Sequence, residues 1–218
     1  ILGPHVWRQT WHCGARQDIR WLLALTGPRV QGRMRRCGQQ AGLDQRTYLR
    51  ARTVIERALV KGKHLTRKEI AAALRAARFD VARLRLYFLI MDMELQGLIC
   101  SGRLEDQEIT YALVCERAPA ARVLDHEEAL AELATRFFQS HGPATLKDFA
   151  WWSGLPMRDA RAAVAMNGIE VLETAPGPDA TRGATYLLSN YDEYLVAYKD
   201  RAAVIDPMRA RNLGVFTS

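Results

Sequence analysis

The groups in this chain best suited to chemistry are donors to an anion: Thr145, Lys147, Arg158 and Arg161 lie close together in sequence. Hydroxyl, ammonium and guanidinium groups of this kind contact phosphate oxygens, which positions a protein on nucleic acid without reading its sequence. Asn167 follows them. Constellations for catalysis are poor by comparison. The histidines, at 5, 12, 64, 126 and 141, are far apart, and none has the i, i+4 spacing of a metal pair. His126-Glu127-Glu128 matches the H-x-E of zinc deaminases, yet no P-C-x-x-C accompanies it, so it reads as a helix N-terminus. Cys13, Cys37, Cys100 and Cys115 form no C-x-x-C and read as reduced, mostly buried thiols. Neither a phosphate-cradling glycine loop nor a nucleophile elbow is present. Trp151 and Trp152 could stack on bases, but neighbours on a helix point about 100° apart, so at least one belongs to a core.

The donors need elements to hold them, and the local punctuation supplies these. His141-Gly142 closes an amphipathic helix, with Gly142 expected in the left-handed region. Thr145 can cap the next helix, with Asp148 in the acidic place of a capping box. Gly154 and Pro156 stop that helix, and a third runs from Met157 to Met166 with Ala160 and Val164 on its apolar face. An extended stretch over 169–173, a loop rich in Gly, Pro and Asp, and a strand over 184–188 complete the order of a winged helix.

The order occurs twice. At Gly62-Lys-His-Leu-Thr66-Arg-Lys-Glu69-Ile70 the same sequence of Gly, Thr, Lys, acid and bulky apolar residue returns. Helices are expected over about 44–60, 67–77 and 81–96, then strands over 98–101 and 108–114 joined by 102–107. Repetition of helix-helix-helix-strand-turn-strand argues for tandem small domains. The fold class is therefore mainly α with small β wings (α+β). Residues 1–43 would be wing strands and linking helices of an earlier unit. Winged helices would occupy 44–122 and 123–188, and a β-rich C-terminal subdomain would start at 189.

Length, 218 residues, suffices for two small domains and extra pieces. No apolar run could span a bilayer and no secretory signal is present, so no membrane partner, no metal and no cofactor is expected, in the cytoplasm with the nucleoid. Net charge is +7, unevenly placed. Residues 1–100 hold 19 Lys/Arg against 7 Asp/Glu, a balance of +12; residues 101–218 balance at −5. A polyanion would dock on the first half, where Arg33, Arg35, Arg36, Arg50, Arg52, Lys61, Lys63, Arg67, Lys68, Arg83 and Arg85 lie. Arginine enriched by high-GC coding on solvated helix faces is the competing explanation.

With double-stranded DNA as the partner, the expected contacts are Lys63, Lys68, Arg83, Arg85 and Arg103 in the first unit. In the second they are Thr145, Lys147, Arg158 and Arg161. A winged helix usually places its third helix in the major groove and its wing on the backbone. In the first unit that helix has a stripe of Leu84, Phe88, Met91 and Leu95 widened by Leu86, Leu89, Ile90 and Met93, which is the pattern of a buried helix. Packing modules with no DNA contact remain an alternative for either unit. A monomer is expected.

His-Gly-Pro-Ala-Thr-x-x-Asp-Phe-Ala-Trp-Trp-Ser-Gly-Leu at 141–155 resembles the hallmark of a bacterial winged-helix family. That family includes DNA glycosylases acting on alkylated bases and interstrand crosslinks. Arg8–His12 with Asp18–Leu25, Ile99–Gly102 with Thr110–Leu113, and Asn190–Arg201 match it in order. The resemblance implies tandem winged helices before a β-rich subdomain, and metal-free base excision in intact members. Glycosylases of the family use Gln-x-Gln or Gln-x-Asp near their N-terminus; no glutamine here has Gln or Asp two residues on. The chain reads as an internal fragment, inactive alone, with no catalytic residue carried over; His12 and Asp192 lie in family-like motifs without an assigned role. An active glycosylase using carboxylates such as Asp192 or Asp200, and a winged-helix transcription regulator, are the competing functions.

Overall fold

A computed structural model describes residues 14–173 and 192–199, except the side chains of Arg83, Tyr194 and Leu195. The wing strands expected before residue 14, the strand over 184–188 and the subdomain after 199 lie outside the described residues. The protein is mostly helical with one small antiparallel sheet, an α+β architecture in two compact units, Ile1–Asp125 and His126–Ser218.

The first unit opens with α1 (Ile19–Gln40). Helix α2 (Gln45–Leu59) starts at Asp44, whose carboxylate accepts the Thr47 N–H at 2.7 Å. Strand β1 (Leu65–Thr66) leads into α3 (Arg67–Ala76), and α4 (Arg83–Leu95) follows. Strands β2 (Ile99–Glu105) and β3 (Glu108–Leu113) complete a sheet of order β1-β3-β2, trailed by the short α5 (Val114–Arg117). Thr66 caps α3 with both halves of the capping box formed: its hydroxyl accepts the Glu69 N–H, and Glu69 accepts the Thr66 N–H. Two-residue β1 went unseen in the sequence because only its pairing of Leu65 with Tyr111 and Thr66 with Thr110 defines it.

Helix α4 is the core element. Leu86, Phe88, Leu89, Ile90, Met91, Met93 and Leu95 are all buried against α1, α2 and the sheet, and Asp92 and Glu94 are buried with them. Leu84 is the exception; expected in the stripe, it is exposed in the first turn of α4. A Cβ at Gly27 would lie 2.6 Å from the Leu95 carbonyl oxygen, so the backbones of α1 and α4 approach there as closely as glycine allows. Arg35 of α1 grips Asp92 through Nε (2.7 Å) and Nη2 (3.1 Å), and Gln31 and Gln96 donate to the same carboxylate.

The hairpin is tighter than the six-residue linker expected. Strand β2 runs on to Glu105 with a register shift between Ser101 and Leu104. Asp106 (φ 47°) and Gln107 (φ 65°) alone make the turn, both left-handed as a type I′ turn requires.

In the second unit α6 (His126–His141) carries Glu127 and Glu128 in its first turn, complementing the helix dipole. Helices α7 (Leu146–Ser153) and α8 (Met157–Met166) follow, then α9 (Glu193–Val196). Gly142 is not left-handed, contrary to expectation; small size is what it contributes, since a Cβ there would lie 2.5 Å from the Phe138 carbonyl oxygen. The extended stretch over 169–173 reduces to one bridge, Leu172 with Thr145. Phe137 centres this core, stacked on His141 and tilted against Phe149 and Trp152.

Candidate nucleic-acid interface

In the second unit the sequence-selected residues separate by role. Thr145 is buried: its hydroxyl donates to Asp148 at 2.6 Å and accepts the Asp148 N–H at 3.1 Å, completing a capping box. Its polar atoms are thereby held within the helix terminus. Lys147, two residues on, is exposed, and no carboxylate lies within 4 Å of it among the described residues. Arg158 and Arg161 share the outer face of α8, both exposed. Arg158 is 2.9 Å from its neighbour Asp159, a pair worth little at such exposure, while Arg161 meets no carboxylate among the described residues. Asn167 donates to the carbonyls of Ala131 and Ala163, which ties α8 to α6 and occupies its amide nitrogen.

The tryptophans hold protein. Trp151 Nε1 donates to the Val196 carbonyl at 3.1 Å, and Trp152 Nε1 donates to Glu193 at 2.6 Å. Asp148 accepts the Lys199 N–H at 2.9 Å and His141 lies 3.2 Å from Glu193, so four residues of the 141–155 motif seat the segment 192–199. Hydrogen-bond direction carries this reading; residue type alone had left base stacking open.

In the first unit the residues gather around the hairpin with acids beside them. Lys68 is exposed but 2.5 Å from Glu108, and Arg103 is exposed 4.0 Å from Glu105. With Asp106, the tip bears three acids, an unfavourable face for a phosphate. Lys63 is exposed and has no acidic partner among the described residues. Arg85 is mostly covered, 3.7 Å from Asp80 and donating to the Ala41 carbonyl, so it anchors α4 rather than presenting a cation. The side chain of Arg83 lies outside the description.

Next to Lys63, His64 lines a cavity of about 200 Å³ with Arg16, Gly62, Ala112, Glu116 and Arg117. Its Nδ1 accepts the Arg103 N–H at 2.8 Å, which requires that nitrogen unprotonated. Burial first, then the charges of Arg103 and Arg117, hold its pKa below the ordinary imidazole value. Glu116 accepts the N–H groups of Lys61 and Gly62 in the adjoining turn. Cys100 is buried and its thiol is pushed up to about 12 by burial, an inert thiol. Against the expectation of mostly buried thiols, Cys115 is exposed and Cys37 is half-buried. No group of three or more His, Cys, Asp or Glu is placed to hold a metal among the described residues, and no described helix is long and apolar enough to cross a membrane.

Three exposed cations of α2 (Arg46, Arg50 and Arg57) have no carboxylate within 4 Å among the described residues. Of these only Arg50 stood among the basic residues singled out from the sequence. The signal for the others was their spacing opposite Tyr48, Ala51, Ile55 and Leu59.

No curated protein is detectably similar to the chain. A solved structure, the Streptomyces sahachiroi DNA glycosylase AlkZ, matches with a TM-score of 0.62 at 19% identity, over 77% of this chain. The chain spans 47% of that glycosylase's length. The family model for AlkZ-like DNA glycosylases matches residues 4–213, nearly the whole sequence. With that extent of match, the chain belongs to the AlkZ-like DNA glycosylase family.

Proposed function

We propose that the chain is a DNA-binding tandem winged-helix part of a DNA-repair glycosylase acting on alkylated or crosslinked bases. In the first unit the order α2-β1-α3-α4-β2-β3 with sheet order β1-β3-β2 supports a winged helix. In the second, α6, α7 and α8 with a capped α7 support the same assignment. The observation that carries DNA as partner is the family match joined to the exposed Lys147, Arg158 and Arg161 beside a helix-turn-helix. Lys63 would add a phosphate contact on the first unit, and Lys68 and Arg103 would do so only on leaving Glu108 and Glu105. Work on DNA would place the protein in the cytoplasm with the nucleoid, as a monomer.

The proposed part in the reaction is to bind and orient duplex DNA. The chain has no Gln-x-Gln or Gln-x-Asp, so the hydrolytic step is not assigned to the residues present. The test is binding of the full chain to a fluorescent duplex over a salt series. Log affinity should fall linearly with log salt. No binding at micromolar protein in about 50 mM salt would sink the proposal. Incubation with alkylated duplex should leave no abasic sites; their appearance would show that the chain itself performs excision.

A further inference from the structure

The outward face of α2 forms a row of cations directly opposite its buried face. Tyr48, Ala51, Ile55 and Leu59 are buried, at spacings that keep them on one side of a helix. At 100° per residue, Arg46, Arg50, Thr53 and Arg57 fall within a narrow band on the far side. Arg46, Arg50, Thr53 and Arg57 are exposed, and the exposed Leu49 lies on the band's flank. The one acid within α2, Glu56, is on the flank and pairs with Arg52 at 3.2 Å. Asp44 lies near enough to Arg46 to feel its field, but its carboxylate is engaged by Thr47. Arg50 extends over the Phe79 ring, 4.9 Å from its centroid, which fixes its direction at the surface.

Two other surfaces of this unit are poor rivals. Helix α4, in the place of a groove-reading helix, is buried, and the hairpin tip bears Glu105, Asp106 and Glu108. We infer that the first unit holds duplex DNA by the outer face of α2, with Arg46, Arg50 and Arg57 along one phosphate strand. Eleven residues of helix rise about 16 Å, long enough for the three cations to meet separate phosphates of one strand. This surface rests on the proposed function and goes beyond it. It makes a unit of recognition-helix topology a backbone clamp, with no base contact.

The experiment is duplex binding by the full chain against salt, comparing the unaltered protein with R46Q/R57Q and R46K/R57K. Both side chains are exposed and neither makes a hydrogen bond, ion pair or ring contact among the described residues, and circular dichroism checks the fold. Losing two phosphate contacts should reduce the magnitude of the log-log slope by about 2, so a fourfold rise in salt costs the variant about tenfold less affinity. The lysine pair should restore the slope. An unchanged slope in R46Q/R57Q overturns this surface alone. No binding by the unaltered protein overturns the proposed function itself. A parallel assay with phosphatidylserine vesicles completes the test: a glutamine pair that loses vesicle binding while keeping its DNA slope would assign the face to a membrane and overturn the inference.

Discussion

Asp148 accepts the backbone N–H of Lys199 at 2.9 Å across 51 residues of sequence. Its other oxygen takes the hydroxyl (2.6 Å) and N–H (2.9 Å) of Thr145. One buried carboxylate thus starts α7 and seats the segment after α9. Asp148→Ala would leave these donors without their charged acceptor and should destabilise the second unit by about 3 kcal/mol, against about 1 kcal/mol for Thr145→Ala. Urea unfolding of the two variants checks this; equal losses would mean that the backbone N–H bonds of Thr145 and Lys199 to this carboxylate contribute nothing.

Two glycines of α1 should respond in opposite directions. A Cβ at Gly27 meets the Leu95 carbonyl oxygen at 2.6 Å, and backbone cannot rotate away, so Gly27→Ala should cost about 1–3 kcal/mol by forcing α1 from α4. Nothing lies within 4 Å of a Cβ at Gly32, an exposed interior helix position. Gly32→Ala should therefore stabilise by about 0.5–1 kcal/mol through helix propensity. Thermal melts of the pair settle the sign at each site.

What the sequence made legible was local chemistry. Both capping boxes, at Thr66 with Glu69 and Thr145 with Asp148, were readable because cap and partner are three residues apart. The burial of α4 followed from apolar residues on nearly every side of the helix. Elements defined by distant partners were not legible: β1 exists through Tyr111 and Thr110, and the hairpin's two-residue turn follows from register with β3. Arg85 read as a free cation because Asp80 and the Ala41 carbonyl approach it only in the fold. Trp151 and Trp152 read as candidate base stackers because Glu193 and Val196 are remote in sequence.

His64 should make the first unit sensitive to mild acid. Its folded pKa is depressed, chiefly by burial, while the unfolded imidazole titrates near about 6.5. The unfolded chain therefore binds the proton first as pH falls. The full contribution is present above about 6.5 and is lost progressively below it, down to the folded pKa. Protonation also removes the lone pair that accepts the Arg103 N–H. Urea midpoints at pH 7.5 and 5.0 should drop further in the unaltered protein than in His64→Gln, whose amide oxygen can accept that N–H without titrating. Matching drops in both would remove His64 as the cause.

Exposed and held cations should separate in a single salt series. Lys147 and Arg161 are exposed without a carboxylate within 4 Å among the described residues, so replacing either by glutamine leaves no buried partner behind. If both neutralise phosphates, each replacement should lower the slope of log affinity against log salt by about 1, with the urea midpoint unchanged. Arg85→Gln should do the reverse. Its side chain bridges Asp80 and the Ala41 carbonyl, and losing that tie loosens α4 from the turn after α1 while removing no surface charge available to DNA. Its unfolding midpoint should fall, while the slope of the folded fraction stays that of the unaltered protein. A lowered slope in Arg85→Gln at full stability would place the guanidinium on DNA and make the Asp80 contact incidental. An unchanged slope in both Lys147→Gln and Arg161→Gln would remove the exposed faces of α7 and α8 from the interface.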